Sequence, residues 1–395
     1  MRSVQAAQDS VSAQETLSVH SSARVAELDG VRGLAIGSVL LWHLMVMPHV
    51  LSPDGPKPAG MMWLVRLLSL SWAGVDLFFC LSGFLIAGIL LDSKGIPSYL
   101  PRFYLRRFFR IYPLYWAVLI LCFAIPFLAV RLDLVASTPI YGVLLQNLWM
   151  ASRRTFGGEP LGVTWSLAVE EQFYLVFPAL VLLLQRSALT VLLILACVVA
   201  PLARFAVSAP PATNWMAAYV LTICRADALA MGALLAIVAR SGFRITSVLP
   251  AARGLFILSL AGVVLLIANG DTIGSPTMNV AGYSVLALAG ASLIMLVLTN
   301  PTGLSARIAR SHVLRRAGTV SYCVYLVHVP VVMLCRHYLG VSAVPATWAG
   351  ALYALLLPAA LTFGIAALSW KYFESPLIKM GHERGARQSA AVSVA

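Results

Sequence analysis

Residues 28–47, LDGVRGLAIGSVLLWHLMVM, open as a polar turn and run on as an apolar helix. Arg32 stands at the head of the stretch, and His43 lies well inside its apolar part. Hydrocarbon gives a charge no solvation, so an ionisable side chain there is a functional candidate by default. The spacing places the two residues roughly 20° apart around a helix and about 16 Å apart along it, near half a hydrocarbon core. One helix face therefore offers a cation near a membrane surface and an imidazole near mid-membrane. An extended acyl-CoA has the matching shape, with phosphates for Arg32 at one end and a thioester for His43 at the other. The plainer reading makes Arg32 a membrane-surface anchor and His43 a hydrogen-bonded packing residue.

The 395 residues are 60% hydrophobic and only 11% charged, with a mean hydropathy of +0.87. Soluble domains carry about 25% charged residues, so the expected fold class is an all-α polytopic membrane protein. Apolar runs of sufficient length predict a bundle of about ten transmembrane helices. They fall near 31–51, 70–91, 112–130, 168–185, 188–206, 216–239, 253–269, 281–299, 320–339 and 346–370. Residues 140–150 read as a short interfacial or re-entrant piece. With the N-terminus placed inside, Lys and Arg divide nineteen inside to six outside, which predicts that both termini are cytoplasmic. The organisation expected is a disordered cytoplasmic tail over 1–25, a membrane domain over 26–376 and a basic cytoplasmic tail over 377–395.

A net charge of +13 raises nucleic-acid binding, but the basic residues sit in short clusters between apolar runs rather than on one face. Lipid bilayer, and not nucleic acid, is the partner this pattern implies. The six cysteines form no CxxC or other metal-ligand spacing, so no metal is expected. There is no convincing internal repeat, which weakens a secondary-transporter reading.

Further ionisable residues cluster in short motifs. In PRFYLRRFFRIYPLY, Arg102, Arg106 and Arg110 recur every fourth residue, with Arg107 beside them. Stacked like charges on a helix suit an anion such as a phosphorylated nucleotide or a lipid headgroup. In VTWSLAVEEQFYLVFP, Trp165, Glu170, Glu171, Gln172 and Tyr174 enter an apolar span together. They read either as a site or as a water-exposed helix start. Asp76 and Ser82 lie in GVDLFFCLSGFLI, and Tyr325 and His328 in SYCVYLVHVPVV, where Pro330 favours a kink. Arg225 and Asp227, in CRADALAMG, neutralise each other or pair elsewhere in the bundle.

These motifs, with FESP near the C-terminus, resemble in order the membrane acyltransferase-3 family, whose members acylate hydroxyl groups of sugars and other acceptors. The resemblance runs from about Ala26 to Pro376. It implies a ten-helix core in a bacterial inner membrane, a cytosolic acyl-CoA donor (acetyl-CoA first among them) and a catalytic role for His43. It further implies that Arg32, Arg106, Arg107 and Arg110 handle the donor. Our working expectation is that His43 acts as general base, oriented by Glu170, Glu171 or Asp76, or carries the acyl group transiently. Ser82, Trp165, Gln172, Tyr174, Arg225, Asp227, Tyr325 and His328 are supporting candidates. Nineteen residues follow FESP, so the compact form of the family is expected, with a surface polysaccharide, an oligosaccharide or a macrolide-type metabolite as acceptor. The rival classes are a transporter of an acyl group, lipid or polyol, in which the same charges form a path, and a non-catalytic sensor or scaffold.

Overall fold

A computed structural model describes residues 26–96, 98–131, 138–242 and 245–394, and the expected tail over 1–25 lies outside the described residues. Among the described residues the protein is helical throughout and has no strand. The principal helices are α1 (Ala26–Leu41), α2 (Gly74–Ser93), α3 (Tyr99–Ala124), α4 (Trp165–Leu183), α5 (Arg186–Ser208) and α6 (Ala226–Val238). They continue with α7 (Leu249–Asn269), α8 (Tyr283–Thr299), α9 (His312–Thr319), α10 (Ser321–Tyr338), α11 (Trp348–Ser369) and α12 (Ser375–Val394).

Among the described residues, eight helical stretches are long and apolar enough to cross a membrane by length and composition, and α9 with α10, bent by 76° at their junction, make a ninth if the pair is one span. Leu195, Val198 and Leu202 on α5 and Ile257, Leu258 and Leu265 on α7 are exposed, a surface suited to lipid.

The stretch expected as a continuous span over 216–239 is instead broken. A short helix, Trp215–Val220, ends where Leu221 turns extended, and α6 begins only at Ala226. The carbonyls freed by the break are taken up by distant side chains. Asn147 donates to Val220 O at 3.2 Å, and Arg204 donates to Cys224 O at 2.5 Å. The thirteen residues of α6 rise about 20 Å, short of a full hydrocarbon core. The arginine-rich segment before 112 is the first half of α3 itself, and the 140–150 piece is split between short helices at Thr138–Gly142 and Gln146–Arg153. The segment read as a basic tail is helical through Val394.

Glycines mark several close helix approaches in the bundle, two of them between the backbones of α1 and α9 and of α2 and α6. A Cβ on Gly33 of α1 would stand 2.1 Å from Leu314 O of α9, and one on Gly232 of α6 would stand 2.0 Å from Cys80 O of α2. Small residues at such crossings let helix backbones touch where lipid offers no hydrophobic drive for association.

Candidate active site

α1 does not reach His43 as a regular helix. Trp42–Val46 form a π-helical turn, with Met47 N–H bonding back to Trp42 O, before the short helix Met47–Leu51. Pro48 explains the change: it has no N–H to give the carbonyl four residues back, and its ring crowds that turn. Widening the turn relieves the clash, and such π turns recur at functional sites. The Trp370–Glu374 π turn before Pro376 follows the same logic.

A partly open cavity of about 110 Å³ lies among α1, α2, α3, α4 and α10. Arg32, Arg107 and Arg110 line it alongside a single carboxylate, Glu170. Arg32 reaches Asp29 at 3.3 Å. Among the described residues, neither Arg107 nor Arg110 has a carboxylate within ion-pair distance. The Arg107 guanidinium instead sits 5.7 Å from the ring centres of Phe103 and Tyr174. Glu170 is held by hydroxyls: Ser82 donates to one oxygen at 2.8 Å and Tyr174 to the other at 3.1 Å, with Tyr174 also 3.0 Å from Ser82. Farther along the wall, the Tyr325 hydroxyl donates to Val163 O at 2.7 Å and lies 2.6 Å from the Ser166 hydroxyl.

His43 and His328 stand together, ring centres 4.7 Å apart and nearly perpendicular at 70°. His328 lies 5.8 Å from the ring of Tyr325, behind the cavity wall, and neither histidine lines the cavity itself. His43 Nδ1 meets Val39 O at 2.9 Å, and His328 Nδ1 meets Tyr325 O at 2.7 Å. A carbonyl oxygen only accepts, so each neutral ring carries its proton on Nδ1 and presents a basic lone pair on Nε2. His328 Nε2 is buried with no hydrogen-bond partner among the described residues.

A family model described as an acyltransferase domain matches residues 25–370. The chain belongs to the acyltransferase-3 family. It is 29% identical over 391 residues to the peptidoglycan O-acetyltransferase OatA of Listeria monocytogenes, a match covering 92% of this chain and 57% of that protein. It is 26% identical over 375 residues to the O-acetyltransferase OatA of Staphylococcus aureus, covering 90% of this chain and 57% of that protein. The chain thus spans a little over half the length of these curated relatives. No solved structure gives a significant match.

Within this family member, the residues singled out in the sequence separate into groups. Arg32, Arg107, Arg110, Ser82, Glu170, Tyr174 and Tyr325 share the cavity. Arg106 turns to another face of α3, where Gly385 of α12 packs against it. The carboxylates expected to orient His43 are engaged elsewhere, since Glu170 binds hydroxyls and Asp76 pairs with Arg225. A backbone carbonyl one turn back takes that place, because the helical spacing brings Val39 O under the ring. Glu171 lies outside the cavity lining, beside Tyr112. Gln172 bonds Asn147 at 2.8 Å and also Thr222, bracing the short helices.

Arg225 and Asp227 do not pair with each other. Arg225 pairs with Asp76 inside a ring of aromatic side chains that includes Trp165, while Asp227 pairs with Arg204 at 3.0 Å. Arg204, fully buried on α5, escaped the sequence reading. A lone arginine in the apolar run LACVVAPLARFAV satisfied the same criterion that picked out His43.

Proposed function

We propose that the protein is a multi-pass enzyme of the bacterial inner membrane, both termini cytoplasmic, that moves an acetyl or other acyl group from acyl-CoA to a hydroxyl of a cell-wall carbohydrate. The observation that carries this reading is the cavity in which three guanidiniums, two of them without a carboxylate ion-pair partner among the described residues, stand at one end of a wall leading toward two imidazoles. Phosphates of the donor would neutralise Arg32, Arg107 and Arg110. The pantetheine arm would follow the wall past Ser82 and Tyr325 toward His43. Peptidoglycan is the acceptor named for the Listeria relative, and we extend that acceptor class to this chain.

In this mechanism His43 Nε2 takes the proton of the acceptor hydroxyl, and the oxygen attacks the thioester carbonyl. The carbon–sulfur bond breaks, and the departing thiolate takes the proton back from the imidazolium, giving free CoA. A two-step form places the acyl group transiently on Nε2 before the acceptor arrives. Mass analysis of purified wall glycan from cells with and without the gene tests the acceptor. Glycan carrying base-labile acetyl groups only when the gene is present is the expected result; identical glycan in both strains would refute it.

A further inference from the structure

In the transfer step one charge still lacks a partner. As the acceptor oxygen attacks, an electron pair of the thioester carbonyl moves onto its oxygen, and that oxyanion needs a hydrogen-bond donor. The two imidazoles do not supply one, because each gives its Nδ1 proton to a backbone carbonyl and presents a lone pair on Nε2. Arg32, Arg107 and Arg110 are taken up with the donor's phosphates.

Most hydroxyls lining the cavity have their proton committed as well. Ser82 and Tyr174 donate to Glu170, at 2.8 and 3.1 Å. Tyr322 donates to Ile111 O at 2.8 Å, and Ser321 to Gly318 O at 2.9 Å. Ser166 and Tyr325 differ. Their oxygens are 2.6 Å apart and both reach toward one carbonyl, Val163 O, Tyr325 at 2.7 Å and Ser166 only at 3.4 Å.

A hydroxyl has a single proton to give. Either Tyr325 donates to Val163 O and Ser166 to Tyr325, or Tyr325 donates to Ser166, whose own proton is left with the long contact to Val163 O. In the second arrangement the Ser166 proton is weakly held and exchanges readily for a stronger acceptor. An oxyanion is such an acceptor, and a Tyr325 O–H feeding into Ser166 strengthens the serine's donation.

The place fits the same role. Ser166 is only 6% exposed yet lines the cavity. Tyr325 links it to the histidines: its ring lies 5.8 Å from that of His328, which lies 4.7 Å from that of His43. Ser166 also stands in the first turn of α4, the end at which the helix macrodipole favours negative charge.

We propose that the Ser166 hydroxyl is the oxyanion donor of the transfer reaction, and that Tyr325 is the positioning residue that turns its proton toward the substrate carbonyl. The inference rests on the acyl-CoA reading of the cavity. The acceptor oxygen bonds to the acyl carbon while the carbonyl electron pair moves to oxygen, where Ser166 donates a hydrogen bond and keeps its proton. Return of that pair reforms the carbonyl and expels the CoA sulfur, which takes the proton held on His43.

Steady-state transfer from acetyl-CoA to a soluble wall glycan fragment by the purified full chain tests the assignment. The oxyanion exists only in the transition state, so Ser166→Ala is expected to lower kcat about a hundredfold with the KM for acetyl-CoA within about twofold of wild type. Ser166→Thr, which keeps the hydroxyl, is expected to retain most of kcat. Tyr325→Phe removes the hydroxyl that feeds Ser166 and is expected to lose about tenfold in kcat at constant KM. A wild-type kcat in Ser166→Ala, a loss that appears in KM instead of kcat, or a Ser166→Thr as slow as Ser166→Ala would overturn the assignment. If Ser166→Ala yields no monodisperse protein, Tyr325→Phe decides: a kcat loss at constant KM supports the pair, and an unchanged kcat overturns it.

The wider reading fails separately. Wild-type protein that releases no CoA from acetyl-CoA would refute the acyl-CoA reading and this assignment with it. Equal turnover by wild type and Ser166→Ala would refute the oxyanion donor alone.

Discussion

Two parts of this bundle hold arginine inside the membrane domain, and they treat it in opposite ways. In the packed interior of α2, α5, α6 and α8, Arg204 meets Asp227 at 3.0 Å and Arg225 meets Asp76, with all four side chains at most 2% exposed. Ser284 bridges one pair, 2.6 Å from both Arg204 and Asp227. In the cavity among α1, α2, α3, α4 and α10, Arg107 and Arg110 have no such partner among the described residues, and Glu170 accepts from hydroxyls. A cation neutralised inside the protein has little left to offer a ligand. One that faces an open cavity without an ion-pair partner keeps more of its attraction for an anion. Pairing, more than depth in the membrane, separates the charges that hold the fold from those available for chemistry.

The largest effect that would sharpen this contrast is loss of one partner from the interior. Arg204→Leu leaves Asp227 buried and uncompensated, which costs about 3–5 kcal/mol. The expected outcome is a collapse in the yield of monodisperse protein, followed by size-exclusion chromatography of the detergent-solubilised chain. Replacing both members, in the double variant Arg204→Leu and Asp227→Leu, is expected to recover much of that yield. Equal losses in the single and double variants would break the comparison at its structural half.

At the catalytic end, His43→Ala is expected to lower transfer about a hundredfold or more with little change in chromatographic behaviour or melting, since a partly buried ring, its edge contact with His328 and one bond to Val39 O are lost. Smaller again is Arg107→Gln, expected to raise the KM for the donor about tenfold with little change in melting temperature. A melting drop comparable to that of Arg204→Leu would mean that Arg107 belongs with the structural charges. The smallest effect is expected for Tyr174→Phe, which removes one of two hydroxyls on Glu170 at about 1 kcal/mol or a several-fold loss in kcat/KM.

Much of the helical framework was legible from apolar run length, because a span of lipid-facing Leu, Ile and Val is written locally. Spans near 188–206, 253–269 and 281–299 correspond to α5, α7 and α8. The break after Val220 was not legible, since it depends on Asn147, 73 residues away, and on Arg204. The Asp76–Arg225 pair likewise joins positions 149 residues apart. For the site, the sequence marked Arg32, Glu170 and the arginines of α3 as unusual, and the cavity gathers several of them. Periodicity grouped Arg102, Arg106 and Arg110 on one side of a helix; the structure separates them because α12 covers one flank of α3 and the cavity opens on another. That division depends on tertiary packing. The π turn at His43 is traceable to Pro48 only once the helix is seen to continue through it.

The most direct measurement is acceptor-dependent release of CoA by the full chain in proteoliposomes given acetyl-CoA and a soluble wall glycan fragment. The account predicts release and acetylated fragment in equal amounts for wild type, with both abolished in His43→Ala and both slowed in Arg107→Gln at low donor concentration. Acetylated fragment formed at the wild-type rate by folded His43→Ala would contradict it.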